Sequence, residues 1–235
     1  MRFIHTLAAL SSLVLATATS AASAAAIDVQ FSRDNGATQS GAAVIGSSGD
    51  YWNDFIGSAS GSGTLLDTSG ANSGASLTFS SALVYESIMG FTQFTGTPHA
   101  DLMQGYLVDF MNSPGIDLKF SGLTAGQQYG FWVYTQGDDN STNRQISLTA
   151  NGGATQVATQ TNAATFKLGD NLTYIVSMAD ADGVVDIVGR DLNGEANING
   201  VQVMAVPEPS IAVLMMAAFA FFAGATVRRS HARVR

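Results

Sequence analysis

The chain contains no cysteine. Disulfide staples and thiolate metal sites are therefore excluded, and any stability must come from a packed core. Histidine is nearly as scarce: residues 27–205 hold only His99, which leaves a histidine-based zinc site short of ligands. Positive charge is also sparse there. Arg33, Lys119, Arg144, Lys167 and Arg190 face 17 acidic residues, a net of −12. A surface so acidic repels phosphate backbones and anionic lipid, which argues against nucleic-acid binding. No G-x-S-x-G elbow is present, and no window of residues 27–205 sustains a helical stripe of apolar side chains.

Both ends differ from the middle. Arg2 and His5 precede an apolar stretch from Leu7 to Ala16, followed by Ala21-Ala22-Ser23-Ala24-Ala25-Ala26. A basic start, a short apolar core and a small-residue exit predict a cleaved secretory signal over 1–26, cut after Ala26 with Ala24 the next choice. At the other end, Val206-Pro207-Glu208-Pro209-Ser210 leads into an uncharged run, Ile211 to Val227, and then Arg228, Arg229, His231, Arg233 and Arg235. Seventeen residues span ~25 Å as a helix, the short end of a bilayer crossing. The basic tail belongs on the cytoplasmic side, which puts the body outside. Pro207 and Pro209 keep the Glu208 region extended and open to a processing enzyme.

This three-part tail (motif 206–210, transmembrane helix 211–227, basic tail 228–235) resembles the PEP-CTERM sorting signal of bacterial exosortase substrates. The resemblance implies that the chain is held in the inner membrane, processed at Pro207, Glu208 and Pro209 with Arg228, Arg229, Arg233 and Arg235 as the basic stop, and passed to the cell surface or outside. An ordinary C-terminal anchor is the competing reading.

The middle, 27–205, reads as one β domain. Strands are expected at Ile27–Phe31, Ala75–Phe79, Tyr106–Met111, Ile116–Phe120, Tyr129–Thr135, Gln145–Thr149, Leu172–Met178, Val184–Val188 and Ile198–Met204. Alternation is clear in Ile116-Asp117-Leu118-Lys119-Phe120, and turn chemistry such as Asn151-Gly152-Gly153 and Asp182-Gly183 separates the runs. Residues 36–74 are Gly/Ser-rich and read as loops around one or two short strands. Many short strands with regular turns indicate an all-β sandwich or jelly roll. Three segments are similar to those of exported PEP-CTERM proteins: Gly49-Asp50-Tyr51-Trp52-Asn53, Leu118 through Tyr134, and Glu195 through Met204. That resemblance implies a jelly-roll sandwich of the galactose-binding-like kind, and no particular activity.

Candidate chemistry is thin. The motif Asp180-Ala181-Asp182-Gly183-Val184-Val185-Asp186 has oxygen ligands at short spacing, so Asp180, Asp182 and Asp186 are candidates for a structural calcium. A tight turn explains the same residues. Trp52, Tyr51 and Trp132 are the candidate carbohydrate contacts, because sugar rings stack on exposed aromatics; Tyr106 and Tyr134 join them for inspection. Trp132 and Tyr134 share one strand face, with Phe131 and Val133 opposite. Glycoside hydrolysis would need two converging carboxylates, drawn from Glu86, Glu195, Asp50, Asp54, Asp101 and Asp109. His99 reads as a solvated loop residue. The sequons at Asn140 and Asn171 are explained by turn usage of asparagine. The resulting expectation is a non-catalytic, exported surface or extracellular-matrix protein that accompanies extracellular polysaccharide. A carbohydrate-binding module is the alternative, and a polysaccharide-active enzyme is the third reading.

Overall fold

A computed structural model of the chain describes residues 25–33, 37–86, 93–111, 113–138 and 143–207. Residues 1–24 of the signal segment, the processing residues Glu208 and Pro209, the apolar run and the basic tail lie outside them, as does the sequon at Asn140. Among the described residues, no helix is long and apolar enough to cross a membrane.

Fourteen strands and one short helix are described: β1 (Ile27–Ser32), β2 (Trp52–Ile56), β3 (Ser60–Leu66), β4 (Asn72–Ser80), β5 (Leu83–Glu86), α1 (Ala100–Gln104), β6 (Gly105–Asp109), β7 (Ile116–Ser121), β8 (Gln128–Tyr134), β9 (Gln145–Ala150), β10 (Gln156–Thr159), β11 (Leu172–Met178), β12 (Val185–Asn193), β13 (Ala196–Ile198) and β14 (Gly200–Ala205). They form a five-stranded sheet in the order β11-β8-β14-β1-β2, a six-stranded sheet in the order β10-β9-β12-β7-β4-β3, and a small sheet in the order β13-β6-β5. The pairings are antiparallel except β1 with β2.

Period-two alternation builds the core. In β7, Ile116, Leu118 and Phe120 are fully buried while Lys119 points to solvent. The five-stranded sheet contributes Val29, Phe31, Phe131, Val133, Val201 and Val203 to the same core, and the six-stranded sheet contributes Leu77, Phe79, Leu148 and Ile187. Phe31 meets Phe79 with ring centroids 5.1 Å apart, and Phe120 meets Phe131 at 5.5 Å. Two sheets thus face each other across one apolar layer, a β-sandwich. Fully burying each large apolar side chain stabilises the fold by about 1.5–3 kcal/mol before conformational entropy is subtracted.

The small sheet is pressed against the five-stranded one. A Cβ on Gly105 would lie 2.5 Å from the Phe31 carbonyl oxygen, so only glycine lets β6 approach β1. Asn199 ties the two together: its Nδ2 donates to the carbonyls of Met103 and Gly105, and its own carbonyl accepts from Phe31 N–H.

A second core covers the outer face of the five-stranded sheet. Trp52, Phe94, Leu102, Met103, Tyr134 and Leu172 form it, with Ala43, Trp132 and Phe166 packed at its margin. The segment before β2 lies over this face. The Trp52 indole donates to Gly41 O, and Gln202 exchanges two hydrogen bonds with the backbone of Ile45.

Candidate functional site

The small sheet carries the most site-like cavity on its outer face. Leu107 and Ile198 turn inward to the main core, so β6 presents Tyr106 and Val108 on the other side. Tyr85 of β5 pairs directly with Tyr106, and their rings are 5.5 Å apart at 45°. Beside them is a cavity of about 270 Å³ lined by Leu83, Tyr85, Tyr106, Val108, Phe110, Asp138 and Glu195. Asp138 arrives from the segment after β8, and Glu195 from the turn between β12 and β13.

The two carboxylates are held by one cation. Arg144 Nη1 donates to Asp138 Oδ1 at 2.7 Å and to Glu195 Oε1 at 3.1 Å. Tyr106 Oη donates to Asp138 Oδ1 at 3.4 Å. The Asn197 amide, oriented to suit its neighbours, donates from Nδ2 to Glu195 Oε1 at 2.6 Å and accepts from Gly137 N–H at 3.1 Å. A side chain at Gly137 would collide with Arg144 and Asn197, so glycine is needed where the chain enters the site. Burial raises the Glu195 carboxyl above its usual pKa, with Arg144 pulling it back and Asp138 pushing it further up. Burial, with the Asp138 and Glu195 charges behind it, raises the Tyr106 phenol, which remains a donor.

A cavity of about 260 Å³ lies between the sandwich sheets near both ends of the described chain, lined by Ile27, Asp67, Tyr129 and Val203 among others. Its polar groups are already committed. Asp67 Oδ1 accepts from Ser69 N–H, Ser69 Oγ and Ala71 N–H, and the Tyr129 hydroxyl accepts from Thr124 N–H.

The expected carbohydrate contacts do not converge. Trp52 is only 2 % exposed and belongs to the second core, so it cannot stack on a ligand; this corrects the sequence-based expectation. The cause is the segment before β2, which seals an outer sheet face that the strand pattern alone would leave open. Tyr51, next along the chain, is exposed. Trp132 is half-buried with its ring 4.7 Å from exposed Tyr174, while Tyr134 is buried and donates its hydroxyl to Gln202 Oε1.

The remaining candidates are structural. Asp180 Oδ1 accepts from Asp182 N–H and Val184 N–H, closing a turn, and Asp186 lies on the following strand with its N–H donated to Asn151 Oδ1. Asp180, Asp182 and Asp186 do not form a three-ligand group, and no such group occurs among the described residues. Asp54 accepts from Ser32, Thr38 and Gln30, and Asp109 from the backbone of Gly115 and Asp191. His99 is not solvated as expected. Its ring packs 4.7 Å from Phe166, its Nδ1 is buried without a hydrogen bond, and burial holds its pKa below the usual value. Asn171 is fully buried with its amide donating to Gln136, Ala163 and Thr165, which closes it to glycosylation.

Sequence reasoning missed the Tyr85–Tyr106–Asp138–Glu195 grouping. Tyr106 and Glu195 stand out only singly in the sequence, no strand is expected at Tyr85, and Asp138 sits in the turn-like run Gly137-Asp138-Asp139-Asn140. The unspent signal was Arg144, one of five cations in an acidic body.

No family model and no curated protein matches the chain. Solved structures give remote likenesses. A plant receptor-like kinase, ANX2, aligns with a TM-score of 0.43 at 8% identity, over 65% of this chain and 55% of that one. A family 35 carbohydrate-binding module from Clostridium thermocellum aligns at 0.34 and 17%, over 54% and 90%. The C-terminal family 6 module of LamC, a marine laminarinase from Zobellia galactanivorans, aligns at 0.27 and 13%, over 43% and 79%. At these scores the likenesses assign neither ligand nor activity.

Proposed function

We propose that this is an exported, non-catalytic protein of the cell surface or extracellular matrix whose β-sandwich, of the jelly-roll kind, binds carbohydrate in the cavity on the small sheet. The observation that carries the binding is the half-buried ring of Tyr85, backed by the buried ring of Tyr106, beside the carboxylates Asp138 and Glu195 around about 270 Å³. Sugar rings present apolar faces that pack on tyrosine and hydroxyls that donate to carboxylate oxygens. A glycosidase pair must flank a scissile bond. Here one nitrogen of Arg144 sits within hydrogen-bond distance of both acids and ties them into one ion-paired group, which favours binding over hydrolysis.

Export rests on the sequence of the two ends. The proposed route is exosortase processing at the motif around Glu208, after transient residence in the inner membrane.

All described strands and both cores fall within Ile27–Ala205, so the body is expected to fold alone. A glycan array with that body tests the binding. Tyr85→Ala should weaken any captured glycan by about tenfold or more, in line with a lost stacking contact. No signal from the wild-type body removes the carbohydrate reading. Fractionation and intact mass of the full chain, with alanines at Pro207, Glu208 and Pro209, test the sorting. Wild type should leave the membrane without its C-terminal run, and the variant should stay embedded.

A further inference from the structure

We infer that the ligand of this cavity is a sugar unit bearing a free, protonated amino group, rather than a neutral or uronic sugar; the inference rests on the carbohydrate reading above. The argument is the donor–acceptor balance of the lining. The ionic groups that face the cavity are Asp138 and Glu195, both anionic when ionised. The cation that belongs to them, Arg144, does not line the cavity and already donates to both. Tyr106 directs its hydroxyl to Asp138, which spends the donor nearest the acids. The rim therefore offers acceptors and one uncompensated negative charge.

A carboxylate or sulfate on the ligand would meet that charge unpaired, at a desolvation cost. A hydroxyl would donate one neutral hydrogen bond. An ammonium would donate up to three charge-assisted bonds and would neutralise the excess. The half-buried Tyr85 ring favours the same ligand, because a cation over a phenol ring is attracted by the ring quadrupole; the Tyr106 ring is buried behind it. Leu83, Val108 and Phe110 supply the apolar floor for the ring carbons.

The test is calorimetric titration of the body with three oligosaccharide classes of equal length, at about pH 7: β-1,4-linked glucosamine, its N-acetylated form, and an oligouronate. The free-amine oligomer should bind at least about tenfold more tightly than the acetylated one, and the oligouronate most weakly. Equal or tighter binding of the acetylated or uronic oligomer overturns this inference while leaving the carbohydrate reading intact. No binding of any of the three overturns this inference, while the carbohydrate reading itself stands or falls on the glycan array. General attraction of a polycation to an acidic body is separated by the Asp138→Asn/Glu195→Gln double variant, confirmed folded by its thermal transition. That variant should lose the preference for the free amine. An unchanged preference overturns the inference.

Discussion

The outer face of the five-stranded sheet and the outer face of the small sheet are built from the same kinds of residue, yet they end as different objects. On the first, Trp52 and Tyr134 lie beside the carboxylate of Asp28, which is flanked across the ladder by Gln202 and Trp52. On the second, Tyr85 and Tyr106 lie beside Asp138 and Glu195. The segment before β2 seals the first face. Asp28 is then fully buried, and neither of its oxygens has a hydrogen bond of good geometry, because the Gln202 amide is committed to Ile45. Its pKa is pushed up to about 7, chiefly by burial, with Gln202 opposing and Asp50 assisting. On the second face the acids keep a cation, and the cavity between them and the tyrosines stays open. Aromatic and acidic residues side by side thus make a core when covered and a candidate binding site when not.

Removing Trp52 should produce the largest effect. Trp52→Ala leaves a void in the second core and an unanswered Gly41 carbonyl, at a cost of about 3–5 kcal/mol read by denaturant unfolding. Glycan binding by the fraction that remains folded should be unchanged, since the small sheet does not use this residue. A loss of affinity in that fraction would merge the two faces into one site.

Asp28 sharpens the contrast through pH. Its folded pKa of about 7 stands above the ordinary aspartate value of 3.8, so between those values the folded state holds a proton that the unfolded chain has released. Stability from this group is therefore present below pH 3.8 and is lost as pH rises towards 7. The ceiling on that loss is about 4 kcal/mol. Asp28→Asn should flatten this part of the stability–pH profile and raise the melting temperature at about pH 8. A profile unchanged by the substitution would show that Asp28 is not sealed.

Tyr85→Ala should be the mildest for the fold. The side chain is half-buried beside an open cavity, so about 1–2 kcal/mol is expected from lost packing with Tyr106. A cost as large as that of Trp52→Ala would make Tyr85, like Tyr106 behind it, part of a core and remove the basis for a site there.

Much of the fold was legible from alternation and turn residues. Leu172–Met178 is a strand with the expected bounds, and the expected strands at Ile116–Phe120 and Gln145–Thr149 each lengthen by one residue. Two short strands, β2 and β3, do lie within the Gly/Ser-rich stretch. The expected strand ending at Met111 stops instead at Asp109. The segments missed were β5, β10 and α1, each of four or five residues, too short to display a period. The expected strand beginning at Ile198 divides, with β13 ending there and β14 starting at Gly200, because Asn199 breaks off to bind the Met103 and Gly105 carbonyls.

The site was less legible for a different reason. Tyr85, Tyr106 and Glu195 come from three separate strands or turns, Asp138 and Arg144 from the connection between β8 and β9, and each has an ordinary local explanation. Side-chain period in a strand records which residues share a face, and composition records the acidic surface and the freedom from disulfides; those the sequence by itself determined. Whether a face is covered depends on where a distant loop lands. That choice, which buried Trp52 and left Tyr85 half-buried beside a cavity, belonged to the tertiary structure, because packing between remote segments leaves no period in the chain.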